Sequence, residues 1–172
     1  MQETLALAES ALEQGELPIA ALVVLDGRVI ASATTREKRE GRFLVHAELL
    51  ALEAADKLRP FPGDRRDAKL FTNLEPCLMC LGAAMSFFLG EIHYALESPT
   101  DGAIALVQGW QRDKEHFAEY RLPAIEGGML RQESIRLFQR YVETQPPGPL
   151  RDWAKSLADL GTLRPDQSVS PA

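Results

Sequence analysis

Apolar positions change period along the first third of the chain. Leu5, Leu7, Ala8, Ala11 and Leu12 recur at helical spacing and Gly15 follows as a stop, which predicts a helix over residues 3–14. Pro18 then opens a continuous apolar run, 19–25, that halts at Asp26-Gly27 and resumes over 28–32. Two such runs around Asp-Gly predict a β-hairpin. The charged stretch 35–42 reads as a solvated loop, and residues 46–57, rich in Ala, Leu and Glu, as a helix. Residues 59–64 (Arg-Pro-Phe-Pro-Gly-Asp) read as a loop.

The second half alternates shorter elements. Residues 69–72 predict a strand, and Pro76 suits the first turn of a helix over 77–88 that Gly90 ends. A strand over 91–95, turn chemistry over 98–102, a last short strand over 124–126 and a helix over 132–142 follow, while 109–121 is polar and without a clear period. Pro146, Pro147, Gly148 and Pro149 make a linker before a short amphipathic segment, 150–160, and residues 165–172 read as disordered. No internal repeat is visible. Helices alternating with strands after an initial hairpin predict an α/β fold, a three-layer α/β/α sandwich around a mixed central sheet of about five strands. Strand–helix junctions in such a fold put loop residues at the carboxyl edge of the sheet, where ligands bind.

Composition narrows the setting. At 172 residues, 45% hydrophobic and 26% charged, the chain suits one globular core plus a tail. No apolar run approaches the roughly 20 residues of a membrane span, and the start, Met-Gln-Glu-Thr-Leu-Ala, carries no basic leader, so a cytoplasmic location is expected. The net charge of −6 argues against a large nucleic-acid footprint. A local basic face from Arg112, Lys114, Arg121, Arg131, Arg136 and Arg140 has the plainer reading of a solvated helix surface.

Both cysteines of the chain, Cys77 and Cys80, lie three residues apart behind Pro76. They read as small buried hydrophobes, as a redox pair at a helix start, or as two metal ligands on one helical face. Zinc needs a third protein ligand. Of the three histidines, His93 sits mid-strand and reads as a packed or edge residue, and His116 sits in a polar stretch and reads as solvent-facing. His46 opens a predicted helix and is followed by Glu48. His-x-Glu at one helix start and Pro-Cys-x-x-Cys at another would gather an imidazole, two thiolates and a carboxylate on one sheet edge. That combination is the signature of zinc nucleobase deaminases.

From about Leu5 to Val142 the chain resembles the cytidine deaminase-like superfamily, within it the branch of bacterial tRNA adenosine deaminases and guanine deaminases. Residues 17–24 look like the family's first strand, 46–52 (His-Ala-Glu-Leu-Leu-Ala-Leu) like its first zinc helix and 74–83 (Leu-Glu-Pro-Cys-Leu-Met-Cys-Leu-Gly-Ala) like its second. The resemblance implies a zinc-dependent deaminase domain over 1–145, with residues 146–172 outside it. It implies Zn2+ on His46, Cys77 and Cys80, Glu48 as the proton-transfer group, and a homodimer, for which Leu81, Met85, Phe87 and Phe88 offer either a surface or core. Substrate contacts are expected at Thr35, Ala47, Glu75 and Asp101, with Trp110, Phe117 and Trp153 as candidate stacking walls. Two departures fall in the recognition region. Thr35 stands where members carry a base-contacting Asn about eleven residues before the zinc histidine, and residues 41–45 are bulkier than the family's usual loop. The implied reaction is hydrolytic replacement of an exocyclic amine on a nucleobase, nucleoside or related amino-heterocycle. A tRNA adenosine deaminase and a non-catalytic zinc or redox domain stand as the alternatives.

Overall fold

The structure, a computed structural model, describes residues 1–58, 65–111 and 120–162. The expected loop 59–64, the tail 165–172, and Arg112, Lys114, His116 and Phe117 lie outside the described residues.

Helix α1 (Gln2–Glu13) leads into β1 (Ala20–Leu25) and β2 (Arg28–Thr34). Asp26 and Gly27 both take positive φ, 51° and 72°, as a tight two-residue hairpin requires. The sheet has order β2-β1-β3-β4-β5, with β3 (Lys69–Leu74), β4 (Glu91–Leu96) and β5 (Ala124–Glu126). β1 pairs antiparallel with both β2 and β3, whereas β3–β4 and β4–β5 are parallel. The expected mixed sheet of five strands is present. Ala20, Ala21, Leu22 and Val23 of the interior strand β1 are all buried, which is why that strand reads as an unbroken apolar run rather than an alternating one.

Helix α1 and helix α6 (Arg131–Thr144) pack together and against the sheet; α3 (Ala47–Leu58) lies across β1 and β2 and meets α4 (Leu78–Ser86). Helix α7 (Pro149–Ala158) docks on α6 through Ala154, Leu157 and Ala158, all in the main core. Leu81, Met85 and Phe87 are buried core rather than an assembly surface, and Phe88 is half-buried. Among the described residues no helix is long and apolar enough to cross a membrane.

Two stretches depart from the sequence reading. Residues 37–40 form a one-turn helix, α2 (Glu37–Glu40), not a free solvated loop. The cause lies upstream: the buried carboxylate of Glu16 accepts hydrogen bonds from the Lys38 and Arg39 amides at 3.2 and 2.9 Å. A second short helix, α5 (Ile104–Val107), went unforeseen; four residues leave no periodicity to read.

Direction is what positions the site. Because β1 is antiparallel to both neighbours, β2 runs the same way as β3, and β3 the same way as β4. The segments leaving the carboxyl ends of these three strands carry His46, Cys77 with Cys80, and Asp101. Asn73 holds this edge together: its Oδ1 accepts from the Ala20 amide at 2.8 Å, and its Nδ2 donates to the Pro18 carbonyl at 2.8 Å and to Ser134 Oγ at 3.2 Å. Asn73→Ala strands these fully buried partners and is expected to lower stability by about 3 kcal/mol, read as a fall in the urea midpoint at unchanged slope.

Candidate metal centre and pocket

His46 precedes the first residue of α3, and Cys77 is the N-cap residue of α4 with Cys80 one turn on. Two helix N-termini therefore meet, and their partial positive charge favours thiolate over thiol. His46 Nδ1 lies 3.7 Å from Cys77 Sγ and 3.6 Å from Cys80 Sγ. The three ligand atoms all lie within 4.8 Å of one another, and the cysteines are not disulfide-bonded. Tetrahedral zinc, with bonds of about 2.3 Å to sulfur and about 2.0–2.1 Å to nitrogen, places those atoms about 3.6 Å apart. The donor set and its spacing therefore fit zinc. Among the described residues this is the one cluster of three or more potential ligands.

Glu48 is 4% exposed and its Oε2 lies 3.6 Å from Cys80 Sγ. Protons are held unequally within this group. Burial pushes the Glu48 carboxyl up to about 7. The hydrogen bond with Cys80, reinforced by His46, draws the Cys77 thiol down to about 4, while the same bond and burial raise Cys80. His46 is pushed up to about 9, chiefly by Cys77. A divalent cation must displace the proton that Cys80 keeps, so metal uptake strengthens as pH rises.

Beside the cluster opens a pocket of about 210 Å3. All four residues expected to meet substrate line it, in different ways. Thr35 is 2% exposed, and its hydroxyl reaches both Glu37 Oε2 at 3.0 Å and the Val45 carbonyl at 3.2 Å. Ala47 opens α3, so its amide belongs to the first turn, whose N–H groups lack intrahelical acceptors. Glu75 accepts from the amides of Ser98 and Ile104, each at 3.0 Å, and so ties the loop after β4 to the metal-side loop. Gly102 bridges to Cys77 in this loop, where a Cβ would lie 2.4 Å from Glu75 Cδ. Asp101, exposed at the rim, accepts from the Ser98 and Thr100 hydroxyls.

Two lining features escaped the sequence reading or stood on weak signal. Glu37, half-buried, has Oε1 3.7 Å from His46 Nε2, and burial raises its carboxyl with His46 opposing. In the sequence it is one charge in a charged run. Leu150 and Trp153 reach the pocket from α7. Trp153 sits edge-on to Phe138 at 6.1 Å and donates from Nε1 to Thr100 Oγ1 at 3.2 Å. Trp110 packs edge-on to Tyr120, 41% exposed and not among the lining residues. His93 stacks on Phe71 at 4.8 Å and pairs with Glu91 at 2.9 Å, a packed strand histidine as expected.

Residues 1–96 match the family described as the cytidine and deoxycytidylate deaminase zinc-binding region. The chain is 33% identical to a tRNA-specific adenosine deaminase of Agrobacterium fabrum over 82% of this chain and 90% of that protein. It is 38% identical over 81% of its length to a tRNA(Ile)-lysidine synthase of Deinococcus radiodurans, of which it spans only 23%. A solved structure from work on A-to-I editing by tRNA:A34 deaminases superposes with a TM-score of 0.65 at 31% identity, covering 80% of this chain and 96% of that one. The chain belongs to the cytidine and deoxycytidylate deaminase zinc-binding family. Elemental analysis is expected to find one zinc per chain; Cys80→Ala should lose it and Glu48→Gln retain it.

Proposed function

We propose that this member of the zinc-binding deaminase family replaces the exocyclic amine of a free amino-heterocycle, a nucleobase or nucleoside, with oxygen and releases ammonia. His46, Cys77 and Cys80 would hold the zinc as three protein ligands, the catalytic rather than the structural pattern. The metal's contribution is to acidify water into a nucleophile near neutral pH.

Every other task falls to side chains and backbone of the chain. Glu48, buried beside Cys80 and lining the pocket, is the observation that carries the reading. Its place at the pocket wall beside the metal ligands puts a carboxylate within reach of both water and ring, as a proton carrier requires. Glu48 would take one proton of the attacking water and deliver it to the ring nitrogen as the C–O bond forms, then carry the remaining hydroxyl proton to the amine as the C–N bond breaks and ammonia leaves. The Ala47 amide would donate to the oxygen that develops at the attacked carbon. Glu75 acts through position: it fixes the loop that carries Asp101 to the rim.

Charge favours a small ring over an RNA loop. Among the described residues no lysine or arginine lines the pocket, while Glu37, Glu48, Glu75 and Asp101 do. Of the cations offered for a basic face, Arg131 pairs with Glu97, Arg136 with Glu133 and Arg140 with Glu9. Leu150 and Trp153 also add a wall from α7 at the pocket, whereas a flipped base must enter with its backbone attached. The second reading, a tRNA adenosine deaminase, rests on the 33% identity to the Agrobacterium enzyme. It predicts salt-dependent binding of an anticodon stem-loop. A cytoplasmic location belongs to the same proposal, since ligating thiols must stay reduced; the homodimer in it rests on the family resemblance alone.

An ammonia-release screen of the zinc protein against purines, pyrimidines, pterins and triazines should find turnover on a free ring. Glu48→Gln should cut that turnover by roughly 10²–10⁴-fold with metal and fold intact. Near-wild-type rates in this variant would remove the role given to Glu48.

A further inference from the structure

The wall beside His46 carries a carboxylate that the reaction itself does not use. Glu37 opens α2, half-buried, two residues beyond Thr35. Its Oε2 meets the Thr35 hydroxyl at 3.0 Å. Its Oε1 stands 3.7 Å from His46 Nε2, at ion-pair rather than hydrogen-bond distance, so its lone pairs are not used up by a hydrogen bond there, and the residue lines the pocket. The Thr35 hydroxyl has one proton, and both acceptors within its reach, Glu37 Oε2 and the Val45 carbonyl, belong to the protein. Where a carboxamide would offer a ring both a donor and an acceptor, this corner offers a ring acceptors only.

The other lining groups point the same way. Both oxygens of Glu75 are occupied by backbone amides, and Asp101 at the rim adds a second carboxylate facing the same space. Among the described residues, a phosphate entering this pocket would meet carboxylates with no lysine or arginine in the lining to offset them. A ring edge bearing N–H groups would meet partners.

We propose that Glu37 is a specificity-determining residue, selecting an unphosphorylated heterocycle that presents an N–H donor in addition to the amine it loses. Glu37 takes over, with the opposite hydrogen-bonding demand, the recognition that Thr35 is unable to perform. The inference rests on the hydrolytic reading above only in that the same pocket receives the reacting ring.

The test compares rings that differ by one donor. Adenosine and its 2-amino derivative, whose N9 ribose removes the ring N–H so that they differ only in the added 2-amino donor, are titrated against the zinc-loaded protein carrying Glu48→Gln, with and without Glu37→Gln or Glu37→Ala, by quenching of tryptophan fluorescence. The same pair is then assayed for ammonia release with Glu48 present. The diamino ring should be favoured about tenfold or more with Glu37 in place, in Kd and KM rather than kcat, and the preference should shrink towards parity in both Glu37 variants. Adenosine should bind better than adenosine 5′-monophosphate, and that gap should narrow without Glu37. A preference for the diamino ring that persists in both variants, equal binding of nucleoside and monophosphate, or no binding of either ring at millimolar concentration overturns the proposal. Glu37-dependent binding without ammonia release overturns the hydrolytic reading alone and leaves this one standing.

Discussion

An imidazole nitrogen held 3.6–3.7 Å from two sulfurs is a demanding arrangement, because its three donors come from segments more than thirty residues apart. Each donor alone would prefer water or a proton. What brings them together is strand direction. The one reversed strand, β1, sits between β2 and β3, so the chain leaves β2 and β3 on the same sheet edge. Two helices then begin there, and each begins with positive partial charge. The fold thus supplies both the proximity of the donors and a field that favours the thiolate at Cys77, while Cys80 gives up its proton to a metal.

The pocket beside this cluster is shaped by carboxylates with separate duties. Glu48 is buried and lies against Cys80, where the proposed reaction needs a group to move protons. Glu75 is fully engaged by two amides and acts as a loop clamp, closely enough fitted that position 102 has no room for a Cβ. Glu16, outside the pocket, performs a similar clamping task for α2 and so sets where Glu37 points. Removing charge from each of these positions would have a different consequence, although in composition they are indistinguishable.

The far end of the pocket is where the family resemblance implies a departure. Thr35, which by that resemblance stands in place of a base-reading Asn, is buried with its hydroxyl occupied within the protein. The residue two places on contributes a charge instead. Helix α7, beyond residue 96 where the family match ends, adds an aromatic and an aliphatic wall. These changes leave the metal ligands and Glu48 untouched, which separates the chemistry of the centre from the choice of ring.

Much of this was legible in the linear chain. The hairpin at Asp26-Gly27, the buried run of β1, the alternation of strands and helices, and the His-x-Glu and Pro-Cys-x-x-Cys pairing depend on local spacing, and local spacing survives in a sequence. Residues 37–40 were not legible as a helix because their stabilising partner, Glu16, is about twenty residues upstream and carries no pattern of its own. Glu37 was one charge in a charged run, and Trp153 was one of three candidate aromatic walls; only the placing of Glu37 beside His46 and the docking of α7 on α6 decided that both line the pocket. The sequence by itself determined the candidate donor set and the carboxylate proposed as proton carrier, since those are matters of residue type and interval. Which groups line the pocket was decided by tertiary structure, because that depends on where separate elements come to rest against one another.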